Sequence, residues 1–462
     1  MAGIGFKLQK MLEKETLTTD IISLVYSIFI SAGPWIIMSI TVFFIQFFSR
    51  RLELNFFKIS MVYAFIFSTI IDGFFSMTIT RRISDLIYTK DFSQIYKEYN
   101  GNVTLIFVIS SAICFAFYIF NLKYYSIWQI VFSSYLFISL SIIWIQIIYM
   151  SAVQKFLPII FSFVIGCSLA LLGAMISKQT SELWIYASYD IGIGMIMYTM
   201  HFLISKYLRQ RGISFAIFRS MKVYWKNFLA GIMYYLAVWI DDFIAWHTIG
   251  KTFYPGYRLA PSYDIPMFLS YLYIIPTLAL FILIIETSFY ERYRNFYFLL
   301  EHNGTLSEIL REKESMDSNL KSGVFTIIAI QGAFTFVGLL LSRPISSLLR
   351  LPLDTLNVMR FGILGATFNA FFLLFMLLCF YFDFKDIVWR GSLLVFVSNF
   401  TISELIIRRY PGFSFAIAFL IGTLYMMDNF MKRYNDLIYF EYNRQKSGLL
   451  SGRVKKWKYE EK

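Results

Sequence analysis

The sequence predicts an all-α polytopic membrane protein with about twelve transmembrane helices, and three observations carry that prediction. Of 462 residues, 58% are hydrophobic and 20% aromatic, while only 15% are charged; a soluble domain carries roughly 25% charge. A single soluble core of this length does not bury so much apolar surface. The first apolar run, residues 21–48, already exceeds the roughly 20 residues needed to cross the hydrocarbon of a bilayer.

From the N-terminus, residues 1–20 read as an amphipathic cytoplasmic segment of mixed charge. The run that follows is too long for a signal-peptide core and has no small-x-small cleavage site. Apolar windows then place spans at 21–48, 58–80, 102–120, 128–150, 156–177 and 184–204, and at 226–248, 264–286, 323–341, 358–381, 387–407 and 412–431. The basic stretch "KYLRQRGISFAIFRSMKVYWK" divides them six and six. The organisation is thus an N-terminal six-helix unit over 21–204, a cytoplasmic basic linker helix over 205–225, a C-terminal six-helix unit over 226–431 and a basic tail over 432–462. The linker is amphipathic and suits the anionic inner leaflet. Within the second unit, cytoplasmic segment 287–322 spaces Phe289, Tyr293, Phe296 and Leu300 helically. It breaks at Asn303-Gly304 and restarts with a capping box from Thr305 to Glu308. An even span count puts both termini on one side. Well over half of the 42 Lys and Arg residues fall on that side, which makes it cytoplasmic by the positive-inside rule.

Span one contains "SIFISAGPWIIMSI", residues 27–40. Pro34 has no amide proton and its ring clashes with the Ile30 carbonyl, and Gly33 weakens the helix further. A freed carbonyl is tolerated at membrane depth only where protein or a water-filled cavity covers it. Span one is therefore expected to bend at Gly33-Pro34 and face a cavity; the alternative is a fixed packing kink.

Ionisable groups within spans are the next candidates, because each costs roughly 2.5–3.5 kcal/mol at a helix centre. Asp72 lies about 12 Å inside span two at 1.5 Å per residue; its plain role is a hydrogen bond to a neighbouring helix. Asp241 and Asp242 adjoin in "VWIDDFIAWH" and point about 100° apart. Two close carboxylates in low dielectric resist ionising together, which is what a proton- or cation-coupled site requires; the alternative for Asp242 is interfacial water. The outer stretch "GKTFYPGYRLAPSYDIP" combines Pro255, Pro261 and Pro266 with Gly256 and the rings of Tyr254, Tyr257 and Tyr263. Aromatic faces suit sugar rings, and Asp264 supplies an acceptor for hydroxyls; the alternative is an interfacial tyrosine belt. Glu286 reads as an edge carboxylate paired with Arg292 or Arg294.

Arg81, Arg82, Arg209, Arg211, Arg292 and Arg294 lie on the expected cytoplasmic side and are candidate docking residues for a partner enzyme, or else interfacial charges. Cys114, Cys167 and Cys379 fall singly in apolar runs and read as packing residues. The sequence holds no GxxxxGK[ST] loop, HExxH pair, His/Cys cluster or GxSxG elbow. No cofactor, metal, nucleic acid or catalytic group is expected. A transporter is favoured over a membrane-embedded glycan-modifying enzyme or a scaffold that only anchors one.

The opening "MAGIGFKLQKML", the "ISAGPW" of span one and the block "YPGYRLAPSYDIPMFLSYLYIIPTLALFILIIETSFYERYRNFY" resemble the PelG family, the polytopic component of Pel exopolysaccharide export. The resemblance extends over essentially the whole chain. It implies a MATE/flippase-like fold of the MOP superfamily, with two six-helix bundles around a central cavity. It further implies passage of a polymer rich in N-acetylgalactosamine and N-acetylglucosamine across the cytoplasmic membrane. The implied partners are a PelF-like cytoplasmic glycosyltransferase and PelD- and PelE-like membrane proteins. No substrate residue is carried over from the family.

Overall fold

The computed structural model describes residues 17–49, 52–153, 156–177, 180–208, 212–302 and 304–450. The first six long helices are α1 (Leu17–Phe48), α2 (Asn55–Tyr88), α3 (Phe92–Ile119), α4 (Ile127–Ala152), α5 (Phe156–Ser177) and α6 (Glu182–Leu208). A two-turn helix, α7 (Ile217–Val223), leads to α8 (Trp225–Thr248) and a hairpin of β1 (Lys251–Tyr254) and β2 (Tyr257–Leu259). Span eight follows as a composite: α9 (Pro261–Tyr271), a 3₁₀ turn (Leu272–Ile274), α10 (Ile275–Leu280), a π-helix (Phe281–Phe289) and α11 (Tyr290–Glu301). The chain continues through α12 (Leu306–Leu348), α13 (Thr355–Tyr381), α14 (Lys385–Ile406), α15 (Phe413–Asn435) and α16 (Leu437–Leu450).

Local chemistry explains several of these limits. Asp91 caps α3 by accepting from the Gln94 amide at 3.2 Å. Ser126–Gln129 and Thr305–Glu308 form reciprocal capping boxes at the starts of α4 and α12. The second is the restart expected from the sequence. Gly412, at φ 87°, turns the chain into α15. Among the described residues, eleven helices are long and apolar enough to cross a membrane. The twelfth expected span, α14, is less apolar because Ser392, Asn399 and Ser403 face inward and are buried. Apolar residues such as Phe43, Phe115, Phe161, Phe202 and Phe336 stay exposed around the outside, as expected for a surface that meets lipid.

The helices form two lobes with the same wiring. In the first lobe the extensive packings are α1 on α5, α2 on α4, α3 on α4, α4 on α6 and α5 on α6. Counting spans, these are 1–5, 2–4, 3–4, 4–6 and 5–6. In the second lobe they are α8 on α14, α9 on α13, α12 on α13, α13 on α15 and α14 on α15, which are spans 7–11, 8–10, 9–10, 10–12 and 11–12. The second set is the first displaced by six. The lobes meet through α2 against α8 and α1 against span eight.

The structure corrects the sequence reading at two places. Residues 205–225 are not one helix. α6 ends at Leu208, and the chain from Gly212 lies along α3, with the Ser214 amide donating to the Lys97 carbonyl at 2.9 Å and Asn100 donating to the Gly212 carbonyl at 3.0 Å. The outer stretch after span seven contains a strand pair. α1 is continuous through Gly33 and Pro34, with Pro34 inside the helix, and further irregular geometry lies in span eight.

Candidate functional site: the seam between the lobes

α2 and α8 run antiparallel along the seam, and paired side chains follow one another from the hairpin end to the other. Tyr63 stacks on Trp246, with centroids 4.7 Å apart and planes at 11°. Its hydroxyl accepts from the Arg258 amide at 2.8 Å and donates to the Arg258 carbonyl at 2.9 Å. Phe67 stacks on Phe243, Trp239 donates to Thr69 at 3.0 Å, and Tyr235 donates to Asp72 at 3.0 Å. At the crossing, a Cβ built on Gly231 would lie 2.3 Å from the Gly73 carbonyl oxygen, so only glycine permits this approach. Towards the far end Tyr224 donates to Asp85, and Arg81 lies 3.6 Å from Asp383 of the second lobe. Burial and the Asp85 carboxylate push the Tyr224 phenol up to about 12, which keeps it a donor. From Tyr63 to Asp85 the paired helix rises about 33 Å, roughly the thickness of the hydrocarbon.

The hairpin of the second lobe closes over the first. Tyr125 donates to the Pro255 carbonyl, and the Tyr118 and Tyr257 hydroxyls bond at 2.8 Å. Phe56 packs edge-on against Tyr254 and Tyr257. Gly256, at φ 85°, lies so close to Phe117 that an added Cβ would stand 2.9 Å from its ring. Of the three tyrosines expected to offer faces to sugar, Tyr257 and Tyr263 are buried and Tyr254 is half-buried.

The second lobe holds a buried polar cluster. Tyr263 donates to Asp241, whose other oxygen accepts from Asn399 at 2.9 Å. Asn399 also donates to the Ala237 carbonyl at 2.8 Å and accepts from Ser403, which bonds Ser414 at 2.7 Å. Asp242 is 3% exposed, and its Oδ2 has no hydrogen-bond partner among the described residues. Asp264 accepts from the Trp246 indole at 3.0 Å and from the Ala260 amide at 2.9 Å. Three helices and the start of span eight thus bring Asp241, Asp242 and Asp264 together without an ion pair to Lys or Arg among the described residues. No group of three or more His, Cys, Asp or Glu among the described residues is arranged to hold a metal ion. The arrangement offers oxygen ligands and protonatable groups next to the seam.

The remaining expected residues scatter. Trp35, next to Pro34, packs edge-on against Phe268 of α9 with centroids 6.1 Å apart, so Gly33-Pro34 lies beside the second seam. Arg82 binds Glu98 within the first lobe at 2.9 Å, and Arg292 lies 3.7 Å from Glu312. Arg294 sits in α11, and Arg209 and Arg211 fall outside the described residues. Glu286 is buried in the π-helix rather than paired with Arg292 at an edge. Sequence reasoning passed over Asp190, which is 4% exposed in α6 with neither oxygen bonded among the described residues. Its signal was available, a lone charge in the apolar run "YASYDIGIG".

A family model described as "PelG: Putative exopolysaccharide Exporter (EPS-E)" matches residues 1–442. The chain belongs to the PelG family. Solved structures similar to this PelG-family chain are membrane transporters. A MATE protein in the straight conformation is 10% identical, with 90% of this chain and 96% of that one covered, at TM-score 0.60. The Vibrio cholerae MATE transporter VcmN in the bent form is 12% identical over 95% of this chain and 98% of that one, at 0.59. A MOP superfamily transporter from Pyrococcus furiosus is 9% identical over 91% and 96%, at 0.59. At such identity the likeness establishes the fold, a two-lobed MATE-type transporter fold in a multi-pass membrane protein. No curated protein matches the sequence.

Proposed function

We propose that this PelG-family chain passes a Pel-type exopolysaccharide, rich in N-acetylgalactosamine and N-acetylglucosamine, across the cytoplasmic (inner) membrane. The observation that carries this reading is the family match over residues 1–442 on a MATE-type fold. The polymer is supplied by a PelF-like cytoplasmic glycosyltransferase, and PelD- and PelE-like membrane proteins complete the complex. The chain itself is a conduit rather than an enzyme. Both termini lie in the cytoplasm, in line with the side on which most basic residues fall. Arg81, Arg82, Arg292 and Arg294, with Arg209 and Arg211 of the same basic stretches, are the proposed docking residues for the glycosyltransferase.

The lobes part along the α2–α8 and α1–span-eight seams to admit the polymer. The Asp241–Asp242–Asp264 cluster couples that movement to a proton or cation gradient, since buried carboxylates within a membrane mark such pathways. The test uses inverted membrane vesicles holding the chain and its glycosyltransferase, fed radiolabelled UDP-N-acetylgalactosamine. Polymer protected from added glycosidase is measured. Asp241→Asn with Asp242→Asn abolishes ion-driven protection. Unchanged protection in this double variant, with the membrane potential collapsed, refutes ion coupling and leaves chain elongation as the drive. Absence of protected polymer in the native vesicles refutes transport itself.

A further inference from the structure

The 3₁₀ turn and α10 interrupt span eight where it touches both lobes: α10 packs on α1 of the first and on α12 and α13 of the second. In an unbroken helix the Thr277 amide would donate to the Tyr273 carbonyl four residues back. Here neither group bonds the other. The Thr277 amide donates to the Gln331 side-chain oxygen at 3.2 Å, and the Gln331 side-chain nitrogen donates to the Tyr273 carbonyl at 2.8 Å. The amide of a side chain 54 residues away thus fills a missing rung of the ladder. The orientation of that amide is fixed, because the Thr277 N–H and hydroxyl both require an acceptor and the hydroxyl donates to the same oxygen at 2.8 Å. Gln331 and Thr277 are each 0% exposed.

One face of α12 is built around this rung. Gln331, Phe334, Thr335 and Gly338 recur at i, i+3, i+4 and i+7. Phe334 packs on the Tyr273 ring with centroids 5.1 Å apart. A Cβ on Gly338 would stand 2.1 Å from that ring, so glycine makes room for it. Thr335 bonds Thr367 of α13 at 2.7 Å and receives the second Gln331 proton at 3.4 Å. Pro276, which has no amide proton to give Leu272, prevents the ladder from closing one residue earlier.

We infer that Gln331 is a positioning residue that holds span eight in two pieces, so that α9, carrying Tyr263 and Asp264, is aimed independently of the half that follows. Tyr273 and Thr277 are each other's helical partners, so they re-pair when the amide withdraws, and the Leu272 carbonyl opposite Pro276 is then the ladder acceptor without a donor. Span eight therefore has two shapes, one with this rung filled by Gln331 and one with it closed by Thr277, and lobe movement exchanges them. This inference rests on the transport reading given above.

The test joins a shape measurement to a transport measurement. Spin labels on Ile265→Cys and Phe298→Cys, both at exposed positions, report the end-to-end distance of span eight in a background lacking the three native cysteines. Gln331→Leu lengthens that distance toward the about 50 Å of 33 residues in a continuous helix. It also lowers vesicle-protected polymer about tenfold, equivalent to about 1.4 kcal/mol. Pro276→Ala combined with Gln331→Leu restores the ladder donor to Leu272, folds stably and is straight, yet exports about tenfold less than the native chain. A merely structural glutamine predicts the opposite pattern, with stability lost in Gln331→Leu and export regained in the double variant. An unchanged label distance, or native export by the straight double variant, overturns the inference. The distance is read without transport, so its failure is separable from a failure of the export reading.

Discussion

Tyr63→Phe isolates the contact that ties the hairpin of the second lobe to the first. The substitution removes one oxygen and keeps the ring stacked on Trp246 at 4.7 Å. Two hydrogen bonds disappear, from the Arg258 amide at 2.8 Å and to its carbonyl at 2.9 Å. Each is worth a net of about 1 kcal/mol, so closure of the hairpin weakens by about 2 kcal/mol. At 1.4 kcal/mol per tenfold this is about a thirtyfold rise in the open fraction. Amide hydrogen exchange in lipid nanodiscs measures it directly, because a locally opening unit exchanges in proportion to its open population. Protection at Arg258 and Leu259 is expected to fall about thirtyfold, while Leu140 and Ile143 in α4 keep theirs. Unchanged protection at Arg258 would show that the hydroxyl does not hold the hairpin. Equal losses in α4 would show that Tyr63 supports the first lobe as a whole.

Two further substitutions and a double-mutant cycle probe the seam and its cluster. Gly231→Ala places a Cβ 2.3 Å from the Gly73 carbonyl oxygen, backbone that cannot swing aside; it should cost about 1–3 kcal/mol as overpacking, seen as a lower unfolding temperature in nanodiscs. An unshifted midpoint would mean that the helices do not cross at the glycines. Tyr263→Phe deprives Asp241 of a hydrogen bond from a neutral hydroxyl and should destabilise the second lobe by about 1.5–3 kcal/mol if that carboxylate is charged; denaturant unfolding monitored at the second lobe tests it, and no change would remove Tyr263 from the cluster. The Arg81–Asp383 pair is a third exposed and 3.6 Å apart, so a double-mutant cycle should give a coupling below about 1 kcal/mol that shrinks with salt. A coupling above about 2 kcal/mol would make it a principal latch.

The spans were legible because burial and lipid contact both select apolar side chains, so either environment produces the same long run. Helix starts were legible where the signal is local, as in the Thr305–Glu308 box. Asp72, Asp241 and Asp242 stood out as charges in apolar runs, and all three are buried at or beside the seam. The break in span eight was not legible, because its cause is not local. Pro34 is the conspicuous proline, yet α1 continues through it; the interruption at Leu272–Ile274 depends on an amide brought from α12. The hairpin was hidden for a similar reason. Strands of four and three residues carry little periodicity, and theirs are held by Tyr63 and Tyr125 of the other lobe. Asn399 and Ser403 carry no charge, so nothing in their own segment marked them as neighbours of Asp241.

The displacement by six in the packing of the two lobes has a geometric consequence. Each half crosses the membrane an even number of times, so both halves enter and leave on the same face, and the operation relating them is a half-turn about the membrane normal. That half-turn carries the contact of span one with span eight onto the contact of span seven with span two. The two seams are therefore copies of one isologous interface, and two identical six-span chains would meet through the same pair of contacts. What a symmetric dimer of such halves would lack is the hairpin on one lobe and the interrupted helix beside α1. These asymmetric additions give the single chain a distinct left and right, so its two seams need not move alike.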